Sequence, residues 1–471
     1  MLFNSWTFLL FFVVVFSLYR SVPGWTARKV VLLLASYVFY AAWNPPYVLI
    51  LLFSTYLDWG LARWIARSEG ARKRRTLLLV SLVSNLGLLC FFKYGNFMLE
   101  NFRTAAEALG VIYQPAAFNI VLPIGISFYT FASLSYTIDV YRREVPADAS
   151  LLDYALFVSF FPHLVAGPIV RASQLLPQVK QPRHASQQQI GWGLVLVVLG
   201  LFSKVVLADN IFAPTVDKVF ADPLHVGAVD AWAGVLGFSG QIFYDFSGYS
   251  SCAIGLALCF GFAFPDNFRS PYAARGFSDF WRRWHITLSS WLRDYLYIPL
   301  GGNRRGEARS HLSLMLTMLI GGLWHGASWM FVLWGGLHGL FLALERLIRN
   351  ARPRPESRDH APAIGLTLYT FLAITLAWIP FRASSMQVAG DMLAALFRFN
   401  VPTTLDSTAL TLGFATIVAT VGWHMLQRDS SLEERFGGLH AGLQTAVLGV
   451  CLVAMFLVSA GDERAFIYFQ F

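Results

Sequence analysis

Residues 311–345 read HLSLMLTMLIGGLWHGASWMFVLWGGLHGLFLALE, and their pattern decides the class of the whole chain. Two apolar runs, 311–325 and 328–345, meet at GLWHGAS, where glycine and serine interrupt the hydrophobic sequence. A helix that starts near residue 310 and rises 1.5 Å per residue carries His325 ~20 Å into an apolar medium. An ionisable side chain at that depth is expensive, so its default reading is functional. Gly321, Gly322, Gly326, Gly335 and Gly339 lie around it. Small residues of this kind let two helices approach closely, or leave room beside the imidazole. His338 in the same stretch, and His163 further upstream, read instead as structural histidines bonded to neighbouring backbone.

The remainder has the same character. Of 471 residues, 56% are hydrophobic and 13% charged, with mean hydropathy +0.54. A soluble chain carries about 25% charge, so half that amount excludes a water-soluble protein of this length. Disorder is excluded by the excess of apolar residues. Four scattered cysteines (Cys90, Cys252, Cys259, Cys451) with no CxxC pair exclude a disulfide scaffold and suggest no zinc site. The expected class is an all-α polytopic membrane protein. Aromatic residues at 16% suit the bilayer interfaces, and the net charge of +9 reads as cytoplasmic anchoring rather than nucleic-acid binding.

Apolar runs occur at 5–19, 30–43, 47–64, 76–92, 118–140, 189–208, 229–262, 311–325, 328–345, 362–381, 406–427 and 441–460. The strong basic loops are Arg63 to Arg75, Arg142–Arg143, Arg171 to Arg183, Arg269 to Arg309 and Arg346 to Arg358. One segment decides whether they share a side. Residues 151–168 are apolar yet flanked by basic loops, and they end in Pro162, Gly167 and Pro168. Read as re-entrant or interfacial rather than spanning, this segment leaves every basic loop cytoplasmic and both termini outside. The N-terminus lacks a positive residue ahead of its apolar run, which reads as a first span and not a cleaved signal. The expectation is a single integral domain, 1–471, with an extracytoplasmic tail at 461–471. Residues 386–398 read as an amphipathic outer-surface helix.

Residues 266–310 are too polar to span, and arginines 269, 275, 282, 283, 293, 304, 305 and 309 mark them as cytoplasmic. Ser278 reads as a helix N-cap with Asp279 in the first turn. Trp281, His285, Leu288 and Leu292 then share one helical face, and Pro299 with Gly301–Gly302 ends the helix. An interfacial anchor without chemistry accounts for that pattern equally. The arginines could also guide the phosphates of an acyl donor, though the positive-inside rule explains them alone.

A buried histidine is held neutral by desolvation and can accept a proton, for instance from a hydroxyl attacking an acyl carbonyl. There is no GxSxG elbow, no HExxH or paired metal-ligand spacing, and no Walker sequence. Nothing in the residues therefore points to a serine nucleophile, a metal mechanism or direct use of ATP.

Four stretches carry a resemblance: FYDFSGYSSCAIGLALCFGFAFPDNFRSPY (243–272), FWRRWHITLSSWLRDYLYIPLGGNR (280–304), GGLWHGASWMFVLWGGLHG (321–339) and FPHLVAGPIVR (161–171). With MLFNSWTFL at the start and FIYFQF at the end, they resemble the membrane-bound O-acyltransferase family nearly end to end. The nearest branch is bacterial, containing the membrane subunit of alginate O-acetylation and the D-alanyl transfer protein of teichoic acids. The resemblance implies about 11–12 transmembrane helices with re-entrant or interfacial helices around a central tunnel. It implies that His325, in the WHG motif, is catalytic and that His285, in RRWHITLS, belongs to the active site. It also implies a cytoplasmic acyl thioester such as acetyl-CoA as donor, with no metal.

The terminal FIYFQF resembles a motif in which the tyrosine, here Tyr468, transiently carries the acyl group. A phenol ester is more activated than a sugar ester, because its leaving group has pKa ~10. A simple aromatic interface anchor is the plain alternative. The implied partners are a periplasmic SGNH-type acetyltransferase, a polysaccharide acceptor reached through it, and the lipid bilayer of a bacterial inner membrane, with no nucleic acid. Three other functions stay open. They are D-alanyl transfer to teichoic acid, peptidoglycan O-acetylation, and a non-catalytic transporter or scaffold, although no symmetric halves are visible.

Overall fold

A computed structural model describes residues 1–113, 116, 121–304, 306–351, 363–458, 464, 466 and 467. Among them there are helices and no strand. This follows from the composition, since a spanning segment in hydrocarbon must satisfy its backbone internally. Among the described residues seven helices are long and apolar enough to cross a membrane: Tyr47–Arg67, Ala71–Ala108, Gln187–Ala221, Trp329–Ala351, Ile364–Arg382, Ser407–Leu426 and Ala441–Val458. The other apolar runs of the sequence fold into helices that are shorter or more polar. The Cα positions group into two compact units, residues 1–194 with 253–265, and 195–252 with 266–471.

The first unit holds α1 (Trp6–Ser21), α2 (Trp25–Ala41), α3 (Tyr47–Arg67), α4 (Ala71–Leu89), α5 (Gly95–Ala108), α6 (Ile126–Arg142), α7 (Leu151–Ser159), α8 (Phe161–Leu164) and α9 (Ala172–Lys180). The helix α6 is buried along almost all its length, which explains its serines, threonines and tyrosines. The buried charges of α2, α3 and α7 are paired: Asp58 accepts from Ser81 Oγ (2.6 Å) and Asn85 Nδ2 (2.8 Å), and Lys29 pairs with Asp153. The doubtful 151–168 segment is not a span. Its helix α7 has nine residues, about 14 Å of rise against roughly 30 Å of hydrocarbon. It is buried in protein, and His163 Nε2 bonds Phe157 O at 3.0 Å, the structural role expected of it.

In chain order follow α10 (Gln187–Phe202), α11 (Ala213–Ala221) and α12 (Ala228–Cys259). A π-helical stretch, Ser203–Phe212, joins α10 to α11. Both α10 and α12 contribute residues to each unit. The second unit continues with α13 (Phe277–Trp281), α14 (Ile286–Leu292), α15 (Glu307–His325), α16 (Trp329–Ala351), α17 (Ala363–Arg382), α18 (Met386–Ala395), α19 (Ser407–Leu426), α20 (Leu432–Gly437) and α21 (Ala441–Val458). The expected amphipathic helix at 386–398 is α18. It is capped by Ser385 Oγ and buries Ala389, Met392 and Ala395 on one face.

The helices α15 and α16 form the hairpin read from 311–345, and the glycines explain its closeness. A Cβ on Gly322 would lie 2.2 Å from Phe331 O, and one on Gly335 would lie 2.3 Å from Met318 O. Both obstacles are backbone, which cannot swing aside. Gly322→Val is therefore expected to prevent the hairpin from closing. Full-length chain should then be lost from the monodisperse peak in detergent chromatography, with a surface variant such as Gly365→Ala, which meets nothing within 4 Å, as control.

Two details of 266–310 differ from the sequence reading. Ser278 is not the N-cap. Gly276 takes that place at φ 112°, and the exposed N–H groups of Phe277 and Ser278 are received by the Glu345 carboxylate of α16, the latter at 3.1 Å. The single helix expected through 281–292 is also broken. His285 adopts the left-handed conformation at φ 42°, splitting α13 from α14 and turning its ring inward. Asp279 holds the short α13 in place. Burial raises its pKa, but the Arg275 N–H, Arg428 and Arg283 outweigh that and hold the carboxyl below its usual range.

Candidate active site

His325 is the last residue of α15, and α15 ends there because Gly326 turns the chain towards α16. Its ring is buried in a box of aromatic edges: Trp324 at 5.0 Å, Trp334 at 5.0 Å and Phe381 at 5.4 Å between centroids. Trp334 comes from α16 and Phe381 from α17, so three helices fix the position of one imidazole. A neutral imidazole in this place can accept a proton.

His285 lies in the same site. Its ring centroid is 6.5 Å from that of His325, and it is fully buried. The spacing is too long for a direct imidazole–imidazole hydrogen bond, and short enough for one oxygen atom to bridge the two rings. Burial lowers the His285 pKa to about 3, so it is neutral at physiological pH. The sequence placed this residue on a surface helix face; the left-handed break at 285 is what buries it.

The orientation of His285 is set by a residue that the sequence did not single out. Asn267 Oδ1 accepts from Thr287 Oγ1 (2.8 Å), and lies 3.0 Å from His285 Nδ1. The Asn267 amide nitrogen donates to Ser250 Oγ at 3.0 Å, and Asn267 O accepts from the Ile286 N–H. With the amide oxygen facing the ring, Nδ1 must carry the proton. That leaves Nε2 as an acceptor, and it is buried with no hydrogen-bond partner among the described residues. A buried acceptor left open in this way is the mark of a site that awaits a donor. The legible clue to Asn267 was its sequence neighbourhood, PDNFRSPY, but nothing in spacing linked it to a residue eighteen positions on.

His338, also fully buried, makes no hydrogen bond through either ring nitrogen among the described residues. It stacks among Trp334 (4.7 Å), Trp281 (5.1 Å) and Phe280 (6.1 Å). The backbone partner expected for it is not there; packing holds it instead. Among the described residues no group of three or more His, Cys, Asp or Glu is arranged to hold a metal ion.

Tyr468 lies outside the described residues. Arg464, Phe466 and Ile467 are described. Arg464 Nη1 pairs with Asp217 Oδ2 at 2.8 Å, and Ile467 N donates to Asp245 Oδ2 at 2.9 Å. The Phe466 ring packs 5.0 Å from Tyr249 and 5.6 Å from Phe246. Phe246 in turn meets His285 edge-on at 4.6 Å. The residues just before Tyr468 are thus one aromatic ring away from the histidine pair.

The class of this all-α membrane chain is identified by the comparisons with known proteins. The model of the membrane-bound O-acyltransferase family matches residues 35–384, and the chain belongs to that family. It is a multi-pass membrane O-acyltransferase. Over 406 residues it is 42% identical to the probable alginate O-acetylase AlgI of Pseudomonas aeruginosa, covering 85% of this chain and 75% of that one. It is 39% identical over 398 residues to the peptidoglycan O-acetyltransferase of Helicobacter pylori, covering 79% and 74%. A more distant relative is the teichoic acid D-alanyltransferase of Streptococcus thermophilus, 28% identical over 287 residues, covering 55% and 68%.

Proposed function

We propose that this chain transfers acetyl groups from a cytoplasmic thioester, acetyl-CoA or a similar donor, through a bacterial inner membrane for O-acetylation of an extracytoplasmic polysaccharide. Tyr468 carries the acetyl group between the two sides. The observation that supports this reading is the packing of Phe466, two residues ahead of Tyr468 in sequence, on Phe246, the ring that touches His285.

The chemistry balances with the residues at hand. His325 takes the phenolic proton of Tyr468 as its oxygen attacks the thioester carbonyl. The C–S bond breaks, the proton passes to the departing sulfur, and Tyr468 is left as an acetyl ester. Before the attack the open Nε2 of His285 can hold the phenolic hydrogen and so orient the hydroxyl; that same hydrogen then passes to His325 as the oxygen attacks. A separate periplasmic SGNH-type acetyltransferase then moves the acetyl group from the phenol to a hydroxyl of the polymer, restoring the phenol. The polymer is an exopolysaccharide of the alginate kind, by similarity to AlgI. Peptidoglycan is the second reading, favoured by the Helicobacter pylori relative at nearly the same identity. D-Alanyl transfer is favoured less, since that relative is 28% identical over little more than half the chain. The test is to supply labelled acetyl-CoA to purified chain in lipid nanodiscs and map the label by mass spectrometry. Acetyl on Tyr468 supports the reading, and a chain that never becomes labelled there refutes it.

Asn267 gives a separate prediction. Asn267→Ala removes the acceptor that sets the His285 tautomer and should slow acyl transfer roughly tenfold, the equivalent of about one hydrogen bond. Asn267→Asp keeps an acceptor but adds a negative charge, which raises the pKa of His285. The protonated ring has no lone pair at Nε2, so activity should be lost below the raised pKa and recover above it. Initial rates between pH 6 and 8.5 should therefore climb more steeply for Asn267→Asp than for the wild type.

A further inference from the structure

The backbone at His285 is strained. A residue with a Cβ rarely adopts positive φ, and such a conformation lasts only where neighbouring contacts over-determine it. Here φ is 42°, and the contacts that hold it can be traced. On either side of His285 the chain is pinned to the segment that carries Asn267. The Arg269 N–H donates to Arg283 O at 2.9 Å, and the Ile286 N–H donates to Asn267 O at 3.0 Å. Residues 267–269 and 283–286 therefore run antiparallel, with His285 between the two bonds.

One side chain closes this bracket. Arg283 Nη1 donates to Arg269 O at 3.2 Å and to Arg428 O, just beyond α19, at 2.9 Å. Its Nε pairs with Asp279 Oδ1 at 3.0 Å. The other Asp279 oxygen accepts from Arg428 Nη2 at 2.8 Å, and Arg428 Nε donates to Ala273 O at 3.1 Å. The side chains of Arg283 and Asp279 are each only 14% exposed. A guanidinium is planar and presents its donors as a rigid fork. One that is mostly buried, with its donors spent on a carboxylate and two carbonyls, is a structural tie and not a charge turned towards a phosphate. This separates Arg283 from Arg275 and Arg282 of the same stretch, which are exposed.

We propose that Arg283 is a positioning residue: it ties residues 283–286 to 267–269 and to the end of α19, and so keeps the His285 ring buried beside His325. This rests on the reading of His285 as one of the reacting pair. Arg283 touches no substrate. It acts through the backbone of Arg269, whose N–H in turn holds Arg283 O, whereas Asn267 acts on the imidazole itself. Asp279 and Arg428 keep the fork in its plane by meeting it from two sides.

The experiment uses the full chain in nanodiscs and two readouts. Burial of His285 is read as its modification by diethyl pyrocarbonate, mapped by mass spectrometry. Exposed His225 serves as the reactive reference and buried His338 as the protected one. Function is read as kcat and KM for acetyl-CoA, from the initial rate of thiol release. Arg283→Lys keeps the positive charge and loses the fork. In it His285 should become modified while His338 stays protected, which a general loosening of the fold would not allow. Its kcat should fall by about 100-fold at unchanged KM, as expected for a misplaced reacting group. If Arg283→Lys does not fold, Asp279→Asn loosens the same fork from the carboxylate side and is read in the same way. His285 as protected as in the wild type overturns the positioning role. So does a raised KM at unchanged kcat, which makes Arg283 a contact of the donor. Faster modification of His285 with undiminished thiol release instead upholds the tie and refutes the reading of His285 as a reacting group.

Discussion

His325→Ala is expected to abolish acyl transfer while leaving the chain folded in the membrane. The imidazole sits at the end of α15 and is packed edge-on by Trp324, Trp334 and Phe381. Removing it opens a cavity worth a few kcal/mol, spread over a large helical chain. Removing a general base costs typically 10²–10⁴ in rate. Here the loss should lie at the upper end, because the surroundings of His325 are aromatic and exclude water that could substitute. The measurement is acetyl transfer by equal amounts of monodisperse wild-type and variant protein. His325→Gln, which keeps polarity but lacks a basic nitrogen, should be as inactive as His325→Ala. Retained transfer in both would assign the proton to another group.

Tyr468→Phe is the second large effect. It deletes one oxygen and leaves the aromatic ring, so an interface anchor would be untouched by it. If the phenol forms the acyl ester, polymer acetylation should fall to background in cells, and no labelled chain should form from acetyl-CoA in nanodiscs. The two variants differ in a way that separates them. In Tyr468→Phe the His325 site is intact, so slow hydrolysis of the donor can continue. In His325→Ala that hydrolysis should cease as well. A Tyr468→Phe strain that acetylates its polymer at the wild-type level would leave the tail as an anchor only.

Parts of this picture were legible in the residues. The membrane class followed from scarce charge, and His325 stood out by depth within an apolar hairpin. The short α7 was readable because Pro162, Gly167 and Pro168 stop a helix that basic loops forbid from crossing. The failures share one cause. His285 looked like a surface residue because helical periodicity assumes an unbroken helix, and a left-handed histidine leaves no trace in the pattern. Ser278 was a reasonable cap by residue type, yet the cap came from Glu345, 67 positions away. Asn267 and Asp245 make long-range contacts of the same sort. One-dimensional spacing reports which residues share a helix face, not which distant carboxylate or amide will meet them.

The Glu345 contact has a mechanical side. The rod α16 carries Trp334, which walls His325, and eleven residues on, Glu345, which grips the start of α13. At 1.5 Å per residue those two grips are roughly 16 Å apart on a single stiff lever. One helix therefore sets two positions at once: that of the ring beside His325 and that of the short helix just ahead of His285.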